Sequence, residues 1–184
     1  VCSSDLYIEP IEPSPELYVI GAGHVGFHLA RVADEVGFRV HVVDDREKFA
    51  NRERFPQAAE IVVDDIPAWL DRTKIPGHAY VVIVTRGHTN DLDALRALAL
   101  KDLRYLGLIG SRAKVARIYD QLRSEAMPEE AFRQVHAPIG LDIGAVTPQE
   151  IAVSILAELI AVKHGKMKSR DVVELSMQWN NAKV

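Results

Sequence analysis

Three features of the sequence predict an α/β fold, a Rossmann-like doubly wound parallel sheet in three layers forming a single domain. Short apolar runs alternate along the chain with segments of helical periodicity. The first run, Leu17 to Ile20, enters a glycine-rich turn, Gly21-Ala22-Gly23-His24-Val25-Gly26, that opens a helix. A later run, Tyr80 to Val84, is apolar without interruption, as suits a parallel strand covered on both faces.

After the first strand, Val25, Leu29, Val32 and Val36 recur at helical spacing as far as Gly37, a C-terminal stop. Phe38 to Val43 is rich in β-formers and supplies the second strand, which ends at Asp44-Asp45-Arg46. Glu60 to Val63 gives a short third strand, Tyr80 to Val84 the fourth and Leu103 to Ile109 the fifth. Helices are expected over Asp91 to Lys101, with Leu92, Leu95 and Leu98 inward, and over Arg112 to Ala126, with Val115, Ile118 and Leu122 inward. The last helix carries the fullest signals: Thr147 as N-cap, Pro148 in the first turn, Glu150 completing a capping box, and Gly165 closing it after Lys163 and His164. Its faces are nearly all apolar, which predicts a helix packed inside the fold. Residues 1–15 read as a proline-rich acidic linker, 16–165 as the Rossmann-like domain and 166–184 as a C-terminal tail. Within that tail Val172, Leu175 and Trp179 fit one more helix or a loose end.

With 184 residues the chain suits one full-sized domain, since single cores occupy roughly 100 to 200 residues. Its formal charge of −4 comes wholly from Asp5, Glu9, Glu12 and Glu16, leaving a neutral body without the positive field that nucleic-acid binding needs. Cys2 has no intrachain partner, which removes disulfides and multi-thiolate metal sites and fits a reducing, cytoplasmic setting. The longest apolar stretch, Ile151 to Val162, falls short of the roughly 20 residues that cross a bilayer. The amino end lacks a signal peptide and an initiator Met, so the chain is expected to begin inside a longer protein, at a linker.

The candidate site lies at the carboxyl ends of the strands. Gly21 permits the tight turn, Gly23 allows a backbone to approach a pyrophosphate, and Gly26 lets the helix pack against the sheet. Asp44 stands where a ribose-binding acid is expected, and Arg46 follows it. His24, between the glycines, either reaches a ligand or caps a helix at the surface. Arg86, Gly87 and His88 follow the fourth strand; Gly110, Ser111, Arg112 and Lys114 follow the fifth. Arg112 and Lys114 stand at the positive end of a helix dipole, which is unfavourable unless an anion is bound there or both are simply solvated. The segment Ala137 to Ala145 is too rich in Gly and Pro for a strand and too apolar for a solvated loop, so it should be ordered and partly buried. In it, Asp142 either caps neighbouring amides or meets a ligand. His41, His78 and His164 read as structural or surface residues, and no His or carboxylate spacing suggests a metal site. The glycine motif with Asp44 fits an NAD(P)-dependent oxidoreductase or a dinucleotide-sensing regulatory module, but the sequence holds no recognisable catalytic set such as Tyr-x-x-x-Lys.

Taken together, Gly21 to Gly26, Asp44-Asp45-Arg46, Thr85-Arg86-Gly87-His88, Ile109-Gly110-Ser111-Arg112 with Lys114, and Ala137 to Ala145 running into Thr147-Pro148-Gln149-Glu150-Ile151-Ala152 resemble the carboxyl-terminal Rossmann domain of the XdhC/CoxI family. The resemblance spans about Glu16 to Gly165. It implies an accessory factor of xanthine dehydrogenase and related molybdenum hydroxylases that binds molybdenum cofactor (molybdopterin), assists its sulfuration by a cysteine desulfurase and delivers it to the apoenzyme. Such a factor is a cofactor chaperone more than an enzyme, with a homodimer as a further expectation. Val146 departs from the family pattern, which often has an acid there, and of the smaller amino-terminal domain usual in the family this sequence holds only a proline-rich stub.

Overall fold

The computed structural model describes residues 14–167. Six strands run parallel in the order β3-β2-β1-β4-β5-β6. They are β1 Glu16–Ile20, β2 Arg39–Asp44, β3 Glu60–Val63, β4 Tyr80–Ile83, β5 Tyr105–Leu108 and β6 Val135–His136. Leu17 of β1 lies opposite Tyr80 of β4, and Ile20 opposite Ile83. The winding direction therefore reverses between β1 and β4, and a crevice forms beyond their carboxyl ends.

Parallel strands need crossovers, and α1 His24–Glu35, α2 Ile66–Arg72, α3 His88–Leu98 and α4 Arg112–Ser124 supply four of the five, the β2–β3 connection being irregular; α5 Pro148–Lys163 is the last described helix. Because successive strand residues point to opposite faces, Leu17 and Val19 enter one core with Leu29, Ala33, Ile155 and Leu159 of α1 and α5. Ile20 and Ile83 enter the other with Leu70, Leu95 and Ile118 of α2, α3 and α4. This is the predicted three-layer, doubly wound sheet.

Several elements differ from expectation. β6 and α2 carry no clear signal in sequence: β6 has two residues, and α2 has seven, with only Ile66, Trp69 and Leu70 buried. Tertiary packing decides both. α3 starts at His88, three residues before the expected Asp91, and ends at Leu98; its N-cap, Gly87, has φ +85°. α4 stops at Ser124, and Ala126 lies in the left-handed region with φ +63°. α5 has the predicted capping box, with Thr147 Oγ1 accepting from Glu150 N at 3.3 Å and a Glu150 oxygen accepting from Thr147 N at 2.8 Å. It is not enclosed on all sides, since Val153 is 51% exposed. Residues 1–13 of the expected linker, with Cys2, and residues 168–184 of the expected tail lie outside the described residues. Among the described residues no helix is long and apolar enough to cross a membrane.

Candidate functional site

The glycine turn is built by three different constraints. Gly21 has φ +117°, and a Cβ there would sit 2.5 Å from the Val84 carbonyl oxygen. At Gly26 a Cβ would lie 2.0 Å from the Gly21 carbonyl oxygen, so α1 touches the turn as closely as a backbone can. At Gly23, the N-cap of α1, a Cβ would meet no described atom within 4 Å. Gly23 thus leaves open space at a helix N-terminus, whose N–H groups favour an anion. His24 is exposed beside it.

Asp44 holds the turn to β2. One of its oxygens accepts from Ala22 N at 2.7 Å and from Arg46 Nη2 at 2.8 Å; the other accepts from Arg46 Nε at 2.7 Å and Arg46 N at 3.0 Å. Burial alone would raise this carboxyl, but the Arg46 side chain and the Ala22 and Arg46 N–H groups outweigh it and hold the pKa below the ordinary value. Asp44 stands where the ribose acid is expected, with both oxygens already engaged. The Arg46 guanidinium lies over the Phe49 ring, 3.9 Å from its centre. Arg54, a residue without any sequence signal in the irregular segment after β2, donates to the carbonyls of Ala22 at 2.9 Å and Phe49 at 2.8 Å.

The loops after β4 and β5 reach the same edge. Arg86 Nη2 lies 2.9 Å from an Asp45 oxygen, spanning the mouth of the crevice from the β4 side to the β2 side, with its side chain 59% exposed. His88 is exposed in the first turn of α3. Ser111 caps α4, its hydroxyl accepting from Lys114 N at 3.3 Å, and Gly110 lies against the Lys114 stem. Lys114 is half-buried, and its ammonium pairs with Asp91 of α3, a partner the sequence does not reveal. Asp91 is fully buried and also accepts from the Thr85 hydroxyl at 2.5 Å. Burial raises its pKa, and Lys114 and Thr85 offset that only in part. Sequence reasoning misses Asp91 as a site residue because it marks the expected helix boundary. Arg112 is exposed in the first turn of α4.

The segment from Ala137 to Ala145 is ordered, as expected, and it opens with a cis Ala137–Pro138 bond. Ile139 N donates to the Leu108 carbonyl at 3.1 Å, tying the loop to the end of β5. Ser154 and Glu158 of α5 clamp its middle. The Ser154 hydroxyl donates to the Leu141 carbonyl at 2.6 Å, and Gly140 N donates to a Glu158 oxygen at 2.5 Å. The other Glu158 oxygen pairs with Nδ1 of His136, and both side chains are buried. Between this loop and α5 is a cavity of 550 Å³, with Arg112, Ile139, Ile151, Glu158 and Asp142 in its walls. Asp142 is exposed.

His41 is structural: it stacks on Tyr18 at 4.5 Å between Glu16, at 2.5 Å, and Glu60, at 3.1 Å. His78 and His164 are exposed. Among the described residues no group of three His, Cys, Asp or Glu side chains is placed to hold a metal ion.

A family model described as the XdhC Rossmann domain matches residues 17–159. The chain belongs to the XdhC family. Its relatives include an uncharacterized protein, YqeB, of Escherichia coli strain K12, 38% identical over 151 residues, covering 82% of this chain and 28% of YqeB. A probable xanthine dehydrogenase subunit from Bacillus subtilis strain 168 is 33% identical over 161 residues, covering 88% of this chain and 47% of the relative. The crystal structure of a xanthine dehydrogenase from Bacillus halodurans superposes with a TM-score of 0.73 at 33% identity, covering 85% of this chain and 45% of that one. This XdhC domain therefore spans less than half the length of the relatives it matches.

Proposed function

We propose that the chain is the cofactor-handling domain of an accessory factor for xanthine dehydrogenase or a related molybdenum hydroxylase. It binds molybdenum cofactor, supports its sulfuration by a cysteine desulfurase and passes it to the apoenzyme, acting in the cytoplasm as a chaperone without turnover of its own. One observation carries the reading. In a chain of the XdhC family, the open space at Gly23 lies at the unblocked end of α1, with the exposed Arg86 across the crevice mouth. Those features fit the phosphate of the cofactor: free helix N–H groups, a backbone without side-chain bulk, and a guanidinium that can leave one surface carboxylate for a stronger anion. When bound, the cofactor supplies the molybdenum-centred redox chemistry of the partner enzyme. Gly23 admits its phosphate, Arg86 neutralises it, and Asp44, through Ala22, keeps the turn in the binding shape.

The test is mass spectrometry of the small molecule that stays with the chain after gentle purification from cells making a molybdenum hydroxylase. Molybdopterin in near-stoichiometric amount is the expected result, and an NAD(P) nucleotide in its place would overturn it. The acid at the end of β2 favours a second reading, an NAD(P)-binding oxidoreductase or dinucleotide sensor. Against it, both Asp44 oxygens are already bonded within the chain, so a ribose has to share them or displace Arg46.

A further inference from the structure

The cavity beside the 137–145 loop has no part in the phosphate site just described, and three observations bear on what fills it. It lies on the same sheet edge as the glycine turn, because Ile139 N bonds to the end of β5 and the loop emerges from β6. In the order β1-β4-β5-β6 it stands two to three strands along from β1. At about 4.8 Å per strand that is roughly 10 to 14 Å, the reach of a ligand with a phosphate at one end and a ring at the other. Its volume of 550 Å³ falls in the range of small-molecule sites.

The second observation is chemical. The walls are mainly apolar, with Pro138, Ile139, Leu141 and Ile151 among them, yet the wall includes the carboxylate of Glu158, which is 1% exposed. A carboxylate has about four acceptor positions. Glu158 gives one to Gly140 N and one to His136 and has the buried Tyr105 hydroxyl beside it, so about one position remains to accept from a ligand. The third is that the network is incomplete within the chain. His136 is wholly buried, and its Nε2 has no hydrogen-bond partner among the described residues. A buried polar network kept only to brace a loop is expected to satisfy every member, since a partly satisfied one is worse than apolar packing. Meanwhile the loop is clamped by Ser154 and Glu158, so the cavity is preformed.

We infer that this cavity seats the heterocyclic end of the ligand, a planar ring system that presents an N–H donor to Glu158 and its flat faces to the apolar wall. The inference rests on the reading that the chain holds a phosphate-bearing pterin cofactor, and adds where its ring lies. Glu158 is a binding residue here, and His136 positions it.

The experiment titrates the whole chain with 6-hydroxymethylpterin, a probe that has the ring but no phosphate, following quenching of the probe's own fluorescence. Four proteins are compared: the unmodified chain, Glu158→Gln, Ala145→Trp and Gly23→Val. Ala145 lines the cavity in the irregular segment, so an indole there fills space without removing a core residue or a clamp. The expected result is binding to the unmodified chain that falls by about tenfold or more in Ala145→Trp and Glu158→Gln, the loss expected of a charge-assisted contact. Gly23→Val should bind within about threefold of the unmodified chain, because its added bulk is at the phosphate end. A folded Ala145→Trp protein that binds the ring normally overturns the inference, and so does an unmodified chain that takes no ring at all. Loss of the ring only in Gly23→Val also overturns it, while leaving the glycine turn as a cofactor site. If instead the purified chain carries no molybdenum cofactor but the ring still binds in the cavity, the accessory-factor reading fails and the heterocycle site stands.

Discussion

Asp44 at the end of β2 and Asp91 in the first turn of α3 are both buried and both bonded to a cation, yet their acidities move in opposite directions. Asp44 receives four N–H donors, from Ala22, from the Arg46 backbone and from two positions on its guanidinium. Asp91 receives the Thr85 hydroxyl, the Thr85 backbone N–H and one ammonium. The difference teaches that a nearby cation does not by itself offset burial: Asp91 is the more deeply buried of the two and has fewer directed donors. It also separates the two sides of the crevice. On the β1–β2 side the charges lock the backbone and leave space above Gly23, whereas on the β4–β5 side a buried carboxylate depends on Lys114.

The contrast is broken first at Lys114. Lys114→Ala strands the Asp91 carboxylate, so urea unfolding at neutral pH should show a loss of about 3 to 4 kcal/mol. An acid whose folded pKa is raised destabilises the fold above its unfolded pKa, and the penalty is relieved as pH falls towards and through the folded value. The deficit of Lys114→Ala should therefore shrink on acidification. A deficit that grew on acidification would show that Asp91 is not the group left unpaired.

The next effect is expected at Gly26, where the added methyl of Gly26→Ala meets the Gly21 carbonyl and should cost about 3 kcal/mol. Gly23→Val is its counterpart: melting should barely change, while binding of the phosphate-bearing ligand should fall by about tenfold or more. Equal melting losses in the two variants would mean that Gly23 is not the open position. Arg46→Ala should cost less than Lys114→Ala, about 2 kcal/mol, because Ala22 N and the backbone of residue 46 still bond to Asp44. In the unmodified chain the two acids act on stability with opposite signs, although the deficit of this variant, like that of Lys114→Ala, shrinks in acid. Asp44 contributes stability above its unfolded pKa that is lost as pH falls through its depressed folded value. Arg46→Ala should thus differ less from the unmodified chain in acid than at neutral pH. The smallest stability effect belongs to Arg86→Ala, under about 0.5 kcal/mol, since its partner Asp45 is a surface contact. Affinity for a phosphate ligand should nevertheless drop by about 1 to 3 kcal/mol in that variant.

The parallel sheet and the glycine turn are legible in the sequence because their signals are local: an apolar run, a turn needing Gly21, a helix stripe and a stop at Gly37. The capping box of α5 is legible for the same reason. α2 and β6 are not, since seven and two residues are too few to establish a period, and contacts from other elements form them. For the candidate site, the sequence shows which residues follow a strand end, but not what those residues bond to. Lys114 with Asp91 joins positions 23 apart in sequence, and Gly140 with Glu158 positions 18 apart. Such pairings depend on how α3, α4 and α5 pack, which no window of residues contains. Arg54 gives no signal because its segment has no periodicity at all.

The packing of α5 on α1 ties the last described helix to the first. During synthesis the β1–α1–β2 unit leaves the ribosome long before Ile155 and Leu159 are made, so the stripe of α1 formed by Leu29, Ala30 and Ala33 waits uncovered. The glycine turn sits at the head of that helix. A nascent chain in this state carries an assembled turn on a half-covered layer, and only completion of α5 removes the sticky surface from cellular view.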